Sequence, residues 1–126
     1  MLSLGEHPLI GFVPCTDRAR ARAFYEDTLG MALRKDDGFA LVFGVGDRML
    51  RVVGVGEFTP QPFTVLGWDV PDITVAVAEL TAKGVEFLRY AHFEQDADGV
   101  WLAPSGDKVA WFHDPDGNVL SVSSHA

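Results

Sequence analysis

Residues 111–122 read WFHDPDGNVLSV, and they are the most informative stretch of the chain. Residues 114–118 consist of Asp, Pro, Gly and Asn, which are the residue types that form tight turns. Aromatic or β-branched residues lie on both sides. This pattern predicts a hairpin that joins two strands. Because residues two apart share one face of a strand, Leu120 and Val122 should lie in the core and Ser121 on the opposite face.

The length of 126 residues is typical of one domain, 1–126, whose core is large enough to need no disulfide. Cys15 is the only cysteine, and we expect it to be buried and unreactive. Since 18 acidic residues outnumber 10 basic ones, the net charge of −8 argues against a nucleic-acid partner. Residues 1–8 show no signal peptide or membrane span, so we expect a cytoplasmic protein with no membrane partner.

The chain repeats one order of elements, which indicates a duplicated unit. Each half predicts a strand, a helix behind an aspartate cap at Asp17 or Asp72, and three further strands. The predicted elements are strand 9–13, helix 18–29 and strands 31–35, 39–43 and 49–53, then strand 63–70, helix 73–83 and strands 85–90, 109–113 and 119–123. An insertion, 92–107, interrupts the second half. We therefore predict an α+β fold with two tandem βαβββ modules, at about 7–54 and 63–124.

Four stretches of the chain resemble one known family. They are FYEDTLGM at 24–31, VPD at 70–72, LTAKGVEF at 80–87 and FHDPDGN at 112–118. In this order they resemble the vicinal oxygen chelate superfamily of glyoxalases, bleomycin resistance proteins and dioxygenases. That superfamily also includes methylmalonyl-CoA epimerase and the fosfomycin-resistance enzymes. The resemblance implies a glyoxalase-like fold, a curled mixed sheet with a U-shaped cleft, in which a second subunit of a homodimer usually completes the cleft.

The resemblance also implies where a metal would bind. Metal-binding members carry ligands on the first and last strand of each module, and the matching positions here are Ile10, Arg51, Val65 and Ser121. Two of these are aliphatic, Arg51 is positively charged, and a serine hydroxyl is a weak neutral ligand. We therefore expect no metal at these positions and no other cofactor.

One other set has metal-ligand chemistry, namely His92, Glu94 and His113, although these residues lie off the family's ligand strands. A displaced metal site formed by them stays open as an alternative.

Two-residue alternation predicts what lines the cleft. The expected lining residues are Phe12, Phe39, Phe43, Arg51, Asp69, Trp111, His113 and Ser121. An apolar, aromatic lining with few polar groups is typical of a small-molecule site, and the alternative is that the aromatic residues simply fill the core. Trp68 should lie on the helix-facing side.

Two functions of different class follow. The first is a binding protein for an aromatic or cationic small molecule, including drug binding or resistance, without a metal. The second is a metal-independent isomerase or lyase in which His113 acts as the catalytic acid or base with Asp69 or Glu94, and Arg51 stabilises an oxyanion. For His113 a structural role is the alternative, and for Arg51 it is an ion pair with Asp69 or Glu94.

Overall fold

The computed structural model describes residues 2–126, and Met1, which belongs to the N-terminal stretch considered above, lies outside the described residues. The described residues form two compact units, one that ends at Thr59 and one that comprises Pro60–Ala126. The first contains β1 (Ile10–Cys15), α1 (Arg18–Arg22), β2 (Ala32–Asp36), β3 (Ala40–Val45) and β4 (Arg48–Gly54). The second contains β5 (Thr64–Asp69), α2 (Ile73–Ala82), β6 (Trp101–Leu102), β7 (Lys108–His113) and β8 (Val119–Ser124). Each unit thus has the predicted βαβββ order.

The first unit is a four-stranded mixed sheet in the order β1-β4-β3-β2, with β1 parallel to β4 and the other pairs antiparallel. The predicted cap is confirmed, because the Asp17 carboxylate accepts a hydrogen bond from the Arg20 N–H. The helix continues beyond α1 as a π-helical segment, Ala23–Thr28. Tyr25 in this segment is fully buried and contacts Phe43, with ring centroids 5.9 Å apart.

The predicted cleft position of Phe43 is wrong. Phe43 pairs with Leu50 in the β3–β4 register, and both side chains are buried. It is Val42 that pairs with Arg51 and shares its face. The cause is the two-residue turn between Val45 and Arg48, which shifts β3 by one residue relative to the alternation assumed from the sequence, and such a shift exchanges the two faces of a strand.

The second unit is also a four-stranded mixed sheet, in the order β5-β8-β7-β6. The predicted hairpin is confirmed between β7 and β8. Asp114 is buried at its turn, and its carboxylate accepts hydrogen bonds from the Asp116 N–H at 3.0 Å, the Asn118 N–H at 2.9 Å and the Asn118 side-chain amide at 2.9 Å. Gly117 takes a φ of 88°, which favours glycine.

The helix of this unit begins where the sequence indicates. The Asp72 carboxylate accepts from the N–H groups of Thr74 and Val75. Ile73 and Val77 are buried, and α2 packs against the face of the sheet that carries Phe112 and the other core residues of β7 and β8.

The predicted strand 85–90 is wrong as a regular element. Only Phe87 forms a bridge, with Phe112, and the Leu88 N–H donates to the Trp111 carbonyl. The fourth strand of this sheet is β6, which comes from the segment that the sequence predicts as an insertion. No helix among residues 2–126 has the length and apolar character needed to cross a membrane.

Candidate functional site

One face of the second sheet collects several of the predicted site residues. Ser121 on β8 pairs with Trp111 on β7 and with Gly67 on β5, and the next row contains Ser123 with Val109 and Asp69. Paired residues of neighbouring strands point to the same side of a sheet. The predicted shared face of Ser121, Trp111 and Asp69 is therefore confirmed. Leu120, Val122 and Trp68 lie on the other face, where α2 packs.

An aromatic cluster extends this face. We define it as Tyr90, His92, Phe93, Trp101 and Trp111. The Phe93 ring is stacked on Trp111, with centroids 5.3 Å apart and planes at 6°, and on Trp101, with centroids 4.3 Å apart and planes at 27°. Tyr90 meets Trp111 edge-on at 5.3 Å, and His92 lies 4.3 Å from Phe93.

The aromatic cluster is partly open to solvent. His92 is exposed, and the other four members are only half-buried. Aromatic side chains that serve only as core are normally covered, so a half-open stack of indole and phenyl rings is available to a flat or cationic group. Sequence reasoning found Trp111 but missed Tyr90, Phe93 and Trp101, although three aromatic residues within the twelve positions 90–101 were a usable signal.

Two polar side chains hold the loop that carries this cluster. Gln95 accepts from the Tyr90 N–H at 2.8 Å and donates to the carbonyls of Leu88 and Gly99, both at 2.7 Å. The Arg89 guanidinium donates to the carbonyls of Asp96 at 2.5 Å and Ala97 at 2.7 Å. These bonds fix residues 88–99 and hold Phe93 against both tryptophans, whose own ring centroids lie 6.0 Å apart.

Ser121 forms the floor of this face beside Gly67. Ser121 is buried, and a Cβ atom added to Gly67 would lie 2.6 Å from the Ser121 Oγ atom. The hydroxyl therefore occupies space that a side chain at position 67 would need. A close-packed serine in this position can orient a ligand as a donor or acceptor.

The predicted partners of His113 lie apart from it. His113 pairs with Val119, whereas Asp69 pairs with Ser123, four residues further along β8. At a rise of roughly 3.3 Å per residue the two rows are about 13 Å apart, beyond hydrogen-bonding reach. Glu94 lines a shallow cavity with Leu102 and Lys108, which lie on the opposite face from Trp101. The register thus separates His113 from Asp69, and Glu94 lines a cavity on the other face.

In the first unit, Arg51 has a partner that the sequence did not predict. Its guanidinium donates to the Asp37 carboxylate at 2.8 Å, in place of the expected pair with Asp69 or Glu94. Asp37 also accepts from the N–H groups of Ala40 and Phe39, at 2.8 and 2.9 Å. These two backbone donors, followed by Arg51, lower the pKa of Asp37 from 3.8 to about 2. Arg51 therefore lies beside a carboxylate that stays charged.

Two phenylalanines of the first unit are exposed, and one of them is paired with Arg51. Phe12 pairs with Arg51 in the β1–β4 register and is 61% exposed, and Phe39, just before β3, is 79% exposed. The first unit thus presents a phenyl ring and a guanidinium side by side on one sheet face.

The residues at the family's metal positions do not fit a metal. Arg51 is a cation paired with Asp37, Ile10 offers only an alkyl side chain, and Val65 lies at the register shift between Thr64 and Leu66. Ser121 alone has an oxygen. Within residues 2–126 no three His, Cys, Asp or Glu side chains come together in an arrangement that could hold a metal ion, and this includes His92, Glu94 and His113.

A family model described as the Glyoxalase/Bleomycin resistance protein/Dioxygenase superfamily matches residues 7–122. The chain belongs to this superfamily. The resemblance carried by the four sequence motifs is thereby confirmed. No curated protein matches this glyoxalase-superfamily chain.

Solved structures share the glyoxalase-like fold. A bleomycin resistance determinant encoded on the transposon Tn5 is 21% identical, with a TM-score of 0.75 over 94% of this chain and 98% of that one. An antibiotic-binding protein from a Streptomyces species is 23% identical, with a TM-score of 0.71 over 96% and 97%. A lactoylglutathione lyase from Agrobacterium tumefaciens is 18% identical, with a TM-score of 0.70 over 94% and 93%. At these identities the likeness shows the fold, which hosts both binding proteins and enzymes.

Proposed function

We propose that this protein binds an aromatic or cationic small molecule by stacking it on the aromatic cluster of the second unit. The observation that carries the proposal is the half-open stack of Phe93 with Trp101 and Trp111. Each aromatic pair adds about 0.5–1.5 kcal/mol beyond the area that it buries. A ligand that contacts two or three of these rings would therefore gain several kcal/mol from stacking.

The charge of the protein supports a cationic ligand. The net charge is −8, and a positive group near the indole faces gains roughly 0.5–2 kcal/mol from cation–π attraction. Asp69 is exposed on the same sheet face and would add an attractive carboxylate.

Two of the structurally similar proteins support a role in drug binding. One is a bleomycin resistance determinant and the other an antibiotic-binding protein. Binding requires no metal, in keeping with the side chains at Ile10, Arg51, Val65 and Ser121. The alternative enzyme built on His113 gains no support, since the register separates His113 from Asp69 and Glu94 lies on the other face.

The proposal includes a homodimer in the cytoplasm. Ile10, Phe12 and Phe39 are 46%, 61% and 79% exposed, and exposed large apolar side chains often mark an interface with another chain. Sedimentation equilibrium should give twice the chain mass, and a mass of one chain at micromolar concentration would contradict the dimer. Cell fractionation tests the cytoplasmic location, and the protein should be found in the cytoplasmic fraction.

Calorimetric titration tests the binding proposal. We expect bleomycin or 9-aminoacridine, a flat cationic probe, to bind the purified protein. Trp111→Leu should weaken the binding by about tenfold or more, since one lost stacking contact corresponds to about 1.4 kcal/mol.

The matched control is Trp68→Phe, because Trp68 lies on the helix-facing side of the same sheet. It should leave the affinity unchanged. Trp101→Leu serves as a second test if Trp111→Leu lowers stability. Equal affinities for wild type, Trp111→Leu and Trp101→Leu would overturn the proposed site.

A further inference from the structure

Three side chains near the end of β8 form a relay that the proposed binding function does not use. The Ser123 Oγ atom lies 3.0 Å from His125 Nε2, and His125 Nδ1 lies 3.2 Å from an Asp107 carboxylate oxygen. The serine hydroxyl thus contacts Nε2 of the imidazole, and the carboxylate contacts Nδ1. This is the order found in nucleophilic triads. The sequence-based expectations did not include this arrangement.

The hydrogen-bond directions follow from the chemistry of the carboxylate. Asp107 also accepts from the Ala126 N–H at 2.9 Å, and this bond, together with His125, lowers the pKa of its carboxyl group. An ionised carboxylate can only accept, so in the neutral ring the hydrogen is on Nδ1. Nε2 is then left as an acceptor for the Ser123 hydroxyl, which is the state required of a general base.

The relay can be reached by a substrate and lies on the face of the aromatic cluster. The His125 side chain is 52% exposed and that of Asp107 is 32% exposed. Ser123 pairs with Val109, which pairs in turn with Trp101, so the hydroxyl and the indole belong to one row across the sheet. An aromatic group stacked on the cluster would therefore lie close to Ser123.

We propose that Ser123, His125 and Asp107 act as nucleophile, general base and orienting carboxylate in the cleavage of activated aryl carboxylic esters. The aryl preference rests on the proposed binding function, whereas the relay itself does not. Ser123 Oγ forms a bond to the acyl carbon while its proton moves to His125 Nε2. The bond from the acyl carbon to the leaving oxygen then breaks, and that oxygen takes the proton from His125. Water releases the acyl group as a carboxylic acid, again with His125 as the base, and restores the serine hydroxyl.

Covalent labelling of the whole protein tests this site. A fluorophosphonate probe should phosphonylate Ser123 with loss of fluoride, and peptide mass spectrometry should locate the adduct there. Ser123→Ala should abolish the adduct, and His125→Gln should slow its formation by about 100-fold, since general-base catalysis contributes roughly 10²–10⁴-fold. Asp107→Asn should slow labelling as well. The same variants should lose the release of nitrophenol from 4-nitrophenyl benzoate.

Two control variants each remove a hydroxyl or an imidazole that is not part of the relay. Ser124→Ala removes the adjacent hydroxyl, which pairs with Lys108, and His7→Gln removes an exposed imidazole that could hydrolyse esters unaided. Both should react as the wild type does. Equal labelling of Ser124 and Ser123 would overturn the proposal. So would a His125→Gln variant that is labelled as fast as the wild type and has the same thermal stability. Retained 9-aminoacridine binding without labelling would refute the relay alone, and labelling without that binding would refute the binding site alone.

Discussion

At the scale of single residues, Asp114 shows how one side chain sets the closing hairpin. Its carboxylate binds three N–H donors of the turn, and it is itself only 5% exposed. A turn signature in the sequence predicted the hairpin, since Asp, Pro, Gly and Asn favour such a turn for local reasons.

Replacement of Asp114 should therefore lower stability markedly. Asp114→Ala removes the carboxylate that accepts from two buried donors of Asn118, and each such loss costs about 1–3 kcal/mol. Urea unfolding should show a loss of about 2–4 kcal/mol in the free energy of unfolding.

Asp27→Ala is the control, because Asp27 is exposed on the π-helical segment Ala23–Thr28. Its change should stay within about 0.5 kcal/mol. If the two variants unfold at the same urea concentration, the Asp114 bonds do not hold the turn.

At the scale of elements, the helix caps were predicted correctly from neighbouring residues, whereas the pairing of β3 with β4 was not predicted correctly. The caps at Asp17 and Asp72 were correct because a cap involves only the next few residues. The face of Phe43 was wrong because it depends on which residues pair across the turn after Val45. Reading Gly46-Asp47 as a two-residue turn would have given the right register.

The second strand error has a similar cause. Residues 85–90 look like a strand, but Arg89 and the Gln95 side chain bind the carbonyls and amides of the neighbouring loop, and Trp101–Leu102 takes the edge of the sheet. Side-chain bonds of this kind leave no periodic signal, so the spacing of the residues did not show that Tyr90, Phe93 and Trp101 join Trp111 in the aromatic cluster.

Loss of the Gln95 side chain should loosen the cluster without unfolding the protein. Gln95→Ala removes the acceptor of the Tyr90 N–H and two donors to carbonyls. Amide hydrogen exchange at Tyr90 should accelerate by about tenfold or more, as expected for a lost hydrogen bond of about 1.4 kcal/mol, and binding of 9-aminoacridine should weaken.

Glu94→Ala is the matched control, because Glu94 is exposed on the same loop and lines the cavity on the other face. Glu94→Ala should change neither the hydrogen exchange at Tyr90 nor the binding of 9-aminoacridine. Unaltered exchange at Tyr90 in Gln95→Ala would show that other contacts hold the loop.

At the scale of the whole molecule, family membership and fold follow from the sequence, whereas function depends on which side chains occupy the shared positions. The superfamily match covers residues 7–122, yet the positions where the resemblance implies metal ligands carry Ile10, Arg51, Val65 and Ser121. The aromatic face of the second unit is therefore the binding site that we propose. The relay of Ser123, His125 and Asp107 borders the same face and is tested separately.

The most direct test of the binding face is a two-dimensional NMR titration of the ¹⁵N-labelled protein, in which each tryptophan indole N–H gives its own signal. On addition of 9-aminoacridine, the signals of Trp101 and Trp111 should shift strongly, because their rings would contact the probe, and that of Trp68 should stay in place. Movement of the Trp68 signal alone, or no movement of the Trp101 and Trp111 signals at saturation, would contradict the account.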